Sequence, residues 1–149
     1  ELKTNLKINI AGGEAEFTRW GWNHLLKNRC IDIAQPEVCG LGGISEYLKI
    51  LALAHTNFVP VVNHVWGSVL SIAVNLHLLT AMPDIPGGLF PWKSMLEFDA
   101  TPKNIFITDL MEENFSIFDQ VRDNGHAKAP EGHGIGITPN KDFIKKFEI

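Results

Sequence analysis

Four ionisable residues each close a short apolar run: Glu14 in KINIAGGE, Glu37 in IDIAQPE, His64 in VPVVNH and Glu97 in SMLE. They stand 23, 27 and 33 residues apart, close to the length of one strand plus one helix each. If the runs are parallel strands, one rim collects three carboxylates and an imidazole. Such a cluster has nothing structural to gain, because like charges held close repel. A metal ion, a substrate or an acid/base pair would resolve the repulsion. An imidazole exchanges its proton near neutral pH, which suits His64 to proton transfer.

Taken singly, each residue also has a plainer role. Glu14 could cap the helix that follows Gly12-Gly13. Glu37 could be an ordinary loop carboxylate, and His64 a core histidine with a satisfied hydrogen bond. Glu97, between Leu96 and Phe98, either points into a barrel mouth or interrupts a strand pattern. Recurrence at four successive strand ends is what favours chemistry. The other histidines offer less: His24, His55 and His77 fall within helices, and His126 and His133 in tail loops. Arg19 could meet a substrate carboxylate or pair with Glu16. Trp66 could wall a pocket or simply pack.

The elements that must position these groups alternate along the first two-thirds of the chain. Lys7–Glu14 runs into Gly-Gly. Phe17–Arg29 places Trp20, Leu25 and Leu26 near helical spacing. Ile31–Ala34 reads as a strand, and Ile44–Asn57 is the clearest helix, with Ser45 as its N-cap and Leu48, Leu51, Ala52 and His55 recurring on one face. Val59–His64 is a further strand and Ser68–Ala81 a second apolar helix. Breaks follow at Met82-Pro83-Asp84 and Pro86-Gly87-Gly88, then a short strand at Ser94–Asp99. Strands alternating with helices predict right-handed βαβ units and a parallel sheet covered on both faces. The last third differs. It reads as a helix or extended arm around Asp109–Asp119, a hairpin-like turn at Asp123-Asn124-Gly125, a Gly-rich loop at Glu131–Gly136 and a short helix from Lys141.

The chain has 149 residues, 45% of them hydrophobic and 20% charged, with a net charge of −4. That is enough for one core and offers no basic stripe for nucleic acid. No apolar run of about 18 residues is present, so no membrane partner is expected. ELKTNLKINI lacks the charged-then-apolar order of a signal peptide. Cys30 and Cys39 flank the Ile31–Ala34 strand, too far apart in an extended chain to bridge, and no CxxC or Cys/His cluster suggests zinc. Free thiols and no export signal point to a cytoplasmic location.

IAGGE followed by FTRWG, DIAQPEVCGLGGISEYLKILALA, VPVVNHVWGS, MLEFD and PEGHGIGI, in that order, resemble the enolase superfamily, mandelate racemase subgroup. The resemblance covers essentially the whole chain. It implies α/β architecture: the C-terminal half of a (β/α) TIM-type barrel, about four βα units over residues 1–100. A C-terminal arm, residues 101–149, would pack on the barrel and on a capping domain not in this chain. It implies Mg²⁺ held by carboxylates on three successive strand ends, Glu14 matching the last. His64 then matches the histidine of a His–acid dyad, Glu37 its acid partner, and Glu97 the glutamate that hydrogen-bonds substrate opposite the metal. Two positions depart from the family: the dyad acid is usually Asp rather than Glu37, and Ala15 stands where many relatives have Asn. The first two metal carboxylates and a catalytic lysine pair are absent.

The implied reaction is proton abstraction α to a carboxylate, on a small acid-sugar substrate. A sugar-acid dehydratase giving a 2-keto-3-deoxy acid leads. A racemase or lactone cycloisomerase of the same family, or a non-catalytic truncated half-barrel, are the alternatives. An independent flavodoxin-like domain would need an acidic cluster or phosphate loop of its own, and no GxGxxG or P-loop precedes a helix. A half-barrel with bare strand edges is expected to pair with its missing half or to self-associate as a homo-oligomer, and alone to be inactive.

Overall fold

The computed structural model describes residues 2–82, 93–99, 104–112 and 116–148. Two compact units emerge: residues 1–64 with 82–97, and residues 65–81 with 98–149.

The first unit carries the parallel architecture that the alternation predicts. It opens with a short helix, α1 (Leu2–Asn5). Strands β1 (Ala11–Gly12) and β2 (Ile33–Ala34) pair in parallel, Ala11 opposite Ile33 and Gly12 opposite Ala34. The ladder then continues through single parallel bridges, Ala34 to Val61, Glu37 to His64 and Asn63 to Leu96. Its bonds are regular: Gln35 N–H donates to Gly12 O at 2.9 Å, Val62 N–H to Ala34 O at 2.9 Å, and Glu97 N–H to Asn63 O at 3.1 Å. The strands are shorter than expected, and Ser94–Asp99 contributes one bridge, at Leu96. Gly12-Gly13, Pro36 and Pro60 cut the regular backbone soon after it starts.

Helix α2 (Thr18–Lys27) and helix α3 (Ile44–Thr56) pack against each other in this unit. Each buries one face, which shares only Leu26 and Leu51 with the one expected. In α2 the core residues are Trp22 and Leu26, while Trp20 is exposed. In α3 they are Tyr47, Ile50, Leu51 and Ala54, and Leu48 faces out. The period of α3 is as predicted, but its phase is turned by one residue. Each fully buried large side chain contributes roughly 1.5–3 kcal/mol. Ser45 is not the N-cap of α3. Gly43 is, entered through left-handed steps at Gly42 (φ +120°) and Gly43 (φ +84°).

Both helices end in the same way. After α2, Arg29 adopts φ +49°, with Cys30 N–H donating to Leu25 O and Arg29 N–H to Leu26 O. After α3, Phe58 adopts φ +56°, with Val59 N–H donating to Ala54 O and Phe58 N–H to His55 O. These are Schellman closures made without glycine. Asn28 and Asn57 reinforce them, each donating from Nδ2 to the carbonyl four residues back at 2.8 Å.

The second unit holds helix α4 (Val69–Thr80), helix α5 (Ile105–Thr108), helix α6 (Ile117–Asn124) and helix α7 (Lys141–Lys145). Ser68 caps α4, its Oγ accepting from Ser71 N–H at 3.4 Å. Val69 and Ala73 pack with Ile137, flanked by Leu110, Met111 and Ile135. An antiparallel bridge joins Met111 to Pro139. Asp123-Asn124-Gly125 is not a hairpin turn: α6 runs through Asn124 and stops on Gly125 at φ +71°. Asp109–Asp119 is likewise not one element. It holds the C-cap of α5 at Asp109, a bridge at Met111 and the start of α6, and 113–115 lie outside the described residues. The breaks foreseen at Pro83-Asp84 and Pro86-Gly88 also lie outside them. The helix from Lys141 is present, capped by Asn140. No described helix is long and apolar enough to cross a membrane.

Candidate active site

The first unit gathers all four strand-end residues around one imidazole. His64 Nδ1 lies 3.0 Å from Glu37 Oε2, and His64 Nε2 lies 2.9 Å from Glu14 Oε2 and 3.8 Å from Glu97 Oε2. Their exposures differ: Glu37 and His64 are 15% and 19% exposed, Glu97 is 47% and Glu14 64%. The His64–Glu37 contact is therefore the sheltered one, where a hydrogen bond is electrostatically stronger.

The local chain explains each placement. His64 and Glu37 are parallel bridge partners, and His64 N–H donates to Pro36 O at 3.2 Å. Adjacent strand residues face opposite ways. Asn63 is fully buried on the back, where Tyr47 Oη donates to its Oδ1 at 2.8 Å, and this leaves His64 to the front. Burial pushes the Tyr47 hydroxyl up to about 12, so it remains a donor at any ordinary pH. Glu37 sits at the head of a tight turn, its carbonyl accepting from Gly40 and Leu41 N–H at 3.0 Å each. Its Oε1 accepts from Cys39 N–H at 2.9 Å.

Glu14 occupies the turn Gly13–Glu16, closed by Glu16 N–H to Gly13 O at 3.0 Å. It does not cap α2, whose N-cap is Phe17 with no side-chain bond. Beneath the turn lies Trp22, fully buried, its indole N–H donating to Glu16 O at 3.1 Å. The N-terminus of α2 is held by Glu46, which accepts from Arg19 N–H at 2.8 Å. That bond, with Lys49 beside it, holds the Glu46 carboxyl below the usual carboxylate range. Arg19 is thus engaged by Glu46 (Nε to Oε1, 3.3 Å) and by the Trp20 ring, not by Glu16.

Trp22, Glu46 and the Tyr47–Asn63 pair were not singled out by the sequence. The doubled glycine before Glu14 was the available sign that a bulky group approaches the backbone there. Of the remaining histidines, His77 Nε2 contacts Ile135 O at 3.1 Å, and burial lowers the imidazole of His55. Cys30 and Cys39 are exposed and form no disulfide.

A cleft of about 430 Å³ is lined by residues 11–16, Leu25 and Gln35, and so includes Glu14. Another, of about 440 Å³, lies at the opposite strand ends, around Lys3, Arg29, Asp32 and Phe58, and contains none of the four residues. Among the described residues no group of three or more His, Cys, Asp or Glu is arranged to hold a metal ion. Glu14 has the hard oxygen that Mg²⁺ prefers, but one carboxylate is not a Mg²⁺ site. The described residues alone do not make one.

Parallel strands ending on an imidazole–carboxylate pair set the chain among known proteins. Residues 1–143 match the family described as enolase C-terminal domain-like. The chain belongs to this family. Among curated relatives of this enolase-family chain is the D-galactarolactone cycloisomerase of Agrobacterium fabrum. It is 37% identical over 99% of the chain and 38% of its own length. The arabinonate dehydratase of Saccharolobus solfataricus is 32% identical, over 99% of the chain and 35% of its own length. The chain thus spans little more than a third of these relatives. Among solved structures, the 3,6-anhydro-D-galactonate cycloisomerase from Zobellia galactanivorans superposes with a TM-score of 0.80 at 29% identity. The match covers 97% of this chain and 37% of that one. A member of the enolase superfamily from Salmonella Typhimurium gives 0.79 at 30% identity, over 96% and 33%. The fold is that of the enolase C-terminal domain, as the resemblance implied.

Proposed function

We propose that this chain is the C-terminal half of a (β/α) barrel in an enzyme that removes the proton α to a carboxylate of an acid sugar. The preferred reaction is dehydration to a 2-keto-3-deoxy acid. The observation that carries the reading is the His64 imidazole, held at Nδ1 by a sheltered carboxylate and presenting Nε2 toward the strand-end rim. The arabinonate dehydratase and D-galactarolactone cycloisomerase among its relatives favour an acid-sugar substrate.

In this reading Glu37 accepts the Nδ1 hydrogen, fixes the ring and leaves Nε2 free to take the substrate proton. Once a substrate displaces Glu14 from Nε2, that nitrogen faces the carbon to be deprotonated. Glu97, carrying a proton or bridged by a donor, hydrogen-bonds the oxyanion that develops on the far side. His64, now protonated, is placed to assist loss of the β-hydroxyl as water. Tautomerisation of the enol gives the 2-keto acid. Enolase-superfamily sites pair a Lys or His base with Mg²⁺, which when bound stabilises negative charge developing on the substrate carboxylate. Glu14 would be this chain's one ligand to it. The remaining ligands, and the strands that would cover the β1 edge, would come from the rest of the barrel. The working location would be the cytoplasm.

The test uses a protein carrying this chain with the rest of the barrel. Given Mg²⁺ and a panel of acid sugars, it is expected to form 2-keto-3-deoxy acids. His64→Asn should lower kcat by about 10²–10⁴-fold, the usual worth of a positioned acid/base. Absence of turnover on every acid sugar would leave a non-catalytic half-barrel as the better account.

A further inference from the structure

Glu37 does two things at once. Its Oε1 accepts from Cys39 N–H at 2.9 Å, and its Oε2 lies 3.0 Å from His64 Nδ1. The backbones at both ends of this span are fixed. Residues 37 and 64 are bridge partners in the parallel ladder, with His64 N–H on Pro36 O. The Glu37 carbonyl is fastened by Gly40 and Leu41 N–H. Neither strand can slide toward the other to make up for a shorter side chain.

We infer that Glu37 is a positioning residue whose length is fitted to this turn, so that one carboxylate bridges the Cys39 amide and the His64 imidazole. An aspartate lacks one methylene, and its carboxylate would be drawn back by roughly one carbon–carbon bond, about 1.5 Å. Keeping the Cys39 bond, as a short carboxylate does in an Asx-type turn, would leave the imidazole beyond hydrogen-bond reach. Keeping the imidazole would release Cys39. Glutamate spans both, so the bond to Cys39 sets the direction in which Oε2 meets the ring. A glutamine has the length but only one acceptor oxygen, so it cannot give each of the two N–H groups its own oxygen as the carboxylate does.

The inference rests on the proposed His64–Glu37 dyad, but its test reads hydrogen bonds rather than turnover, so the two can fail separately. The probe is ¹⁵N NMR of the 149-residue chain in a Glu14→Ala background, which removes the other close carboxylate from Nε2. Spectra are taken at a pH where the ring is neutral. Two signatures are followed: the His64 ring tautomer, and the Cys39 amide resonance, shifted downfield by a carboxylate acceptor. With Glu37 both should be present, the ring as Nδ1–H. Glu37→Asp should lose at least one of them. Glu37→Gln, which keeps the side-chain length if the aspartate variant fails to fold, should also lose at least one. Either variant retaining both signatures would overturn the inference. An intact pair of signatures in an enzyme that turns over no acid sugar would count against the dehydratase reading alone.

Discussion

Adding one methyl group at Gly13 should damage the fold and the site together. Gly13 has φ +113°, which costs an L-residue about 1–3 kcal/mol. A Cβ there would overlap Trp22 Cη2 and stand 2.8 Å from Cζ2 and 3.1 Å from Cζ3. Trp22 cannot move aside, since it is fully buried and its indole N–H is committed to Glu16 O at 3.1 Å. Overpacking of this kind costs a further 1–3 kcal/mol or so. Gly13→Ala is therefore expected to lose about 2–6 kcal/mol. Urea unfolding followed by circular dichroism would read this as a midpoint lowered by about 1–3 M, for a slope of about 2 kcal/mol/M. Trp22→Phe removes the ring atoms that the new Cβ meets and leaves the backbone term alone. In that background the same substitution should cost only about 1–3 kcal/mol, a coupling of about 1–3 kcal/mol in the double-mutant cycle. Strictly additive effects, or a Gly13→Ala protein as stable as its parent, would refute the idea that Trp22 sets the height of the turn carrying Glu14.

Phe58 is 80% exposed and holds φ +56° at the end of α3, so Phe58→Gly should relieve strain while giving up little burial. A gain of about 0.5–1 kcal/mol, seen as a Tm rise of a few degrees, is expected, and a fall in Tm would contradict it. Tyr47, buried and raised to about 12, binds its proton more tightly folded than unfolded. Its contribution is therefore complete below pH ~10 and is lost as pH rises toward 12, by on the order of 3 kcal/mol. Tyr47→Phe should flatten this alkaline decline while lowering neutral-pH stability by about 1–3 kcal/mol, because Asn63 Oδ1 loses its donor; urea melts between pH 7 and 11.5 separate the two.

The parallel alternation was legible because Gly-Gly, Pro and Asn punctuate it at near-constant intervals, and those same breaks mark the strand ends where the four ionisable residues stand. What could not be read was which face of a helix would be buried. Trp20 and Trp22 are two residues apart on α2, so both cannot face the same neighbour, and sequence alone does not choose. The choice comes from the Gly13–Glu16 turn, which needs a flat group beneath it and an N–H for the Glu16 carbonyl. On α3 an apolar count favours Leu48 over Tyr47, but Tyr47 carries the hydroxyl that satisfies buried Asn63. A pattern scored on hydrophobicity gives no weight to that bond. Asp123-Asn124-Gly125 reads as a hairpin-like turn, but a left-handed glycine closes helices as readily as hairpins, and here it closes α6.

The two carboxylates nearest His64 are held in different ways, and the difference bears on how the site could work. Glu37 is tied by backbone bonds on both sides of its Cα and by Cys39 at its carboxylate, so its contact with Nδ1 is built in. Behind the strand, the Tyr47–Asn63 bond fixes the register that turns His64 forward. Glu14, by contrast, is mostly exposed, on a turn whose backbone is held from below by Trp22. A group that must hold an imidazole in one orientation benefits from the first arrangement, since misplacement by about an ångström is costly in proton transfer. A group that must leave Nε2 when substrate or cation arrives benefits from the second. In the proposed reaction the fold thus places its rigid constraint at Nδ1, away from proton transfer, and leaves the more exposed carboxylate beside Nε2, where a substrate would enter.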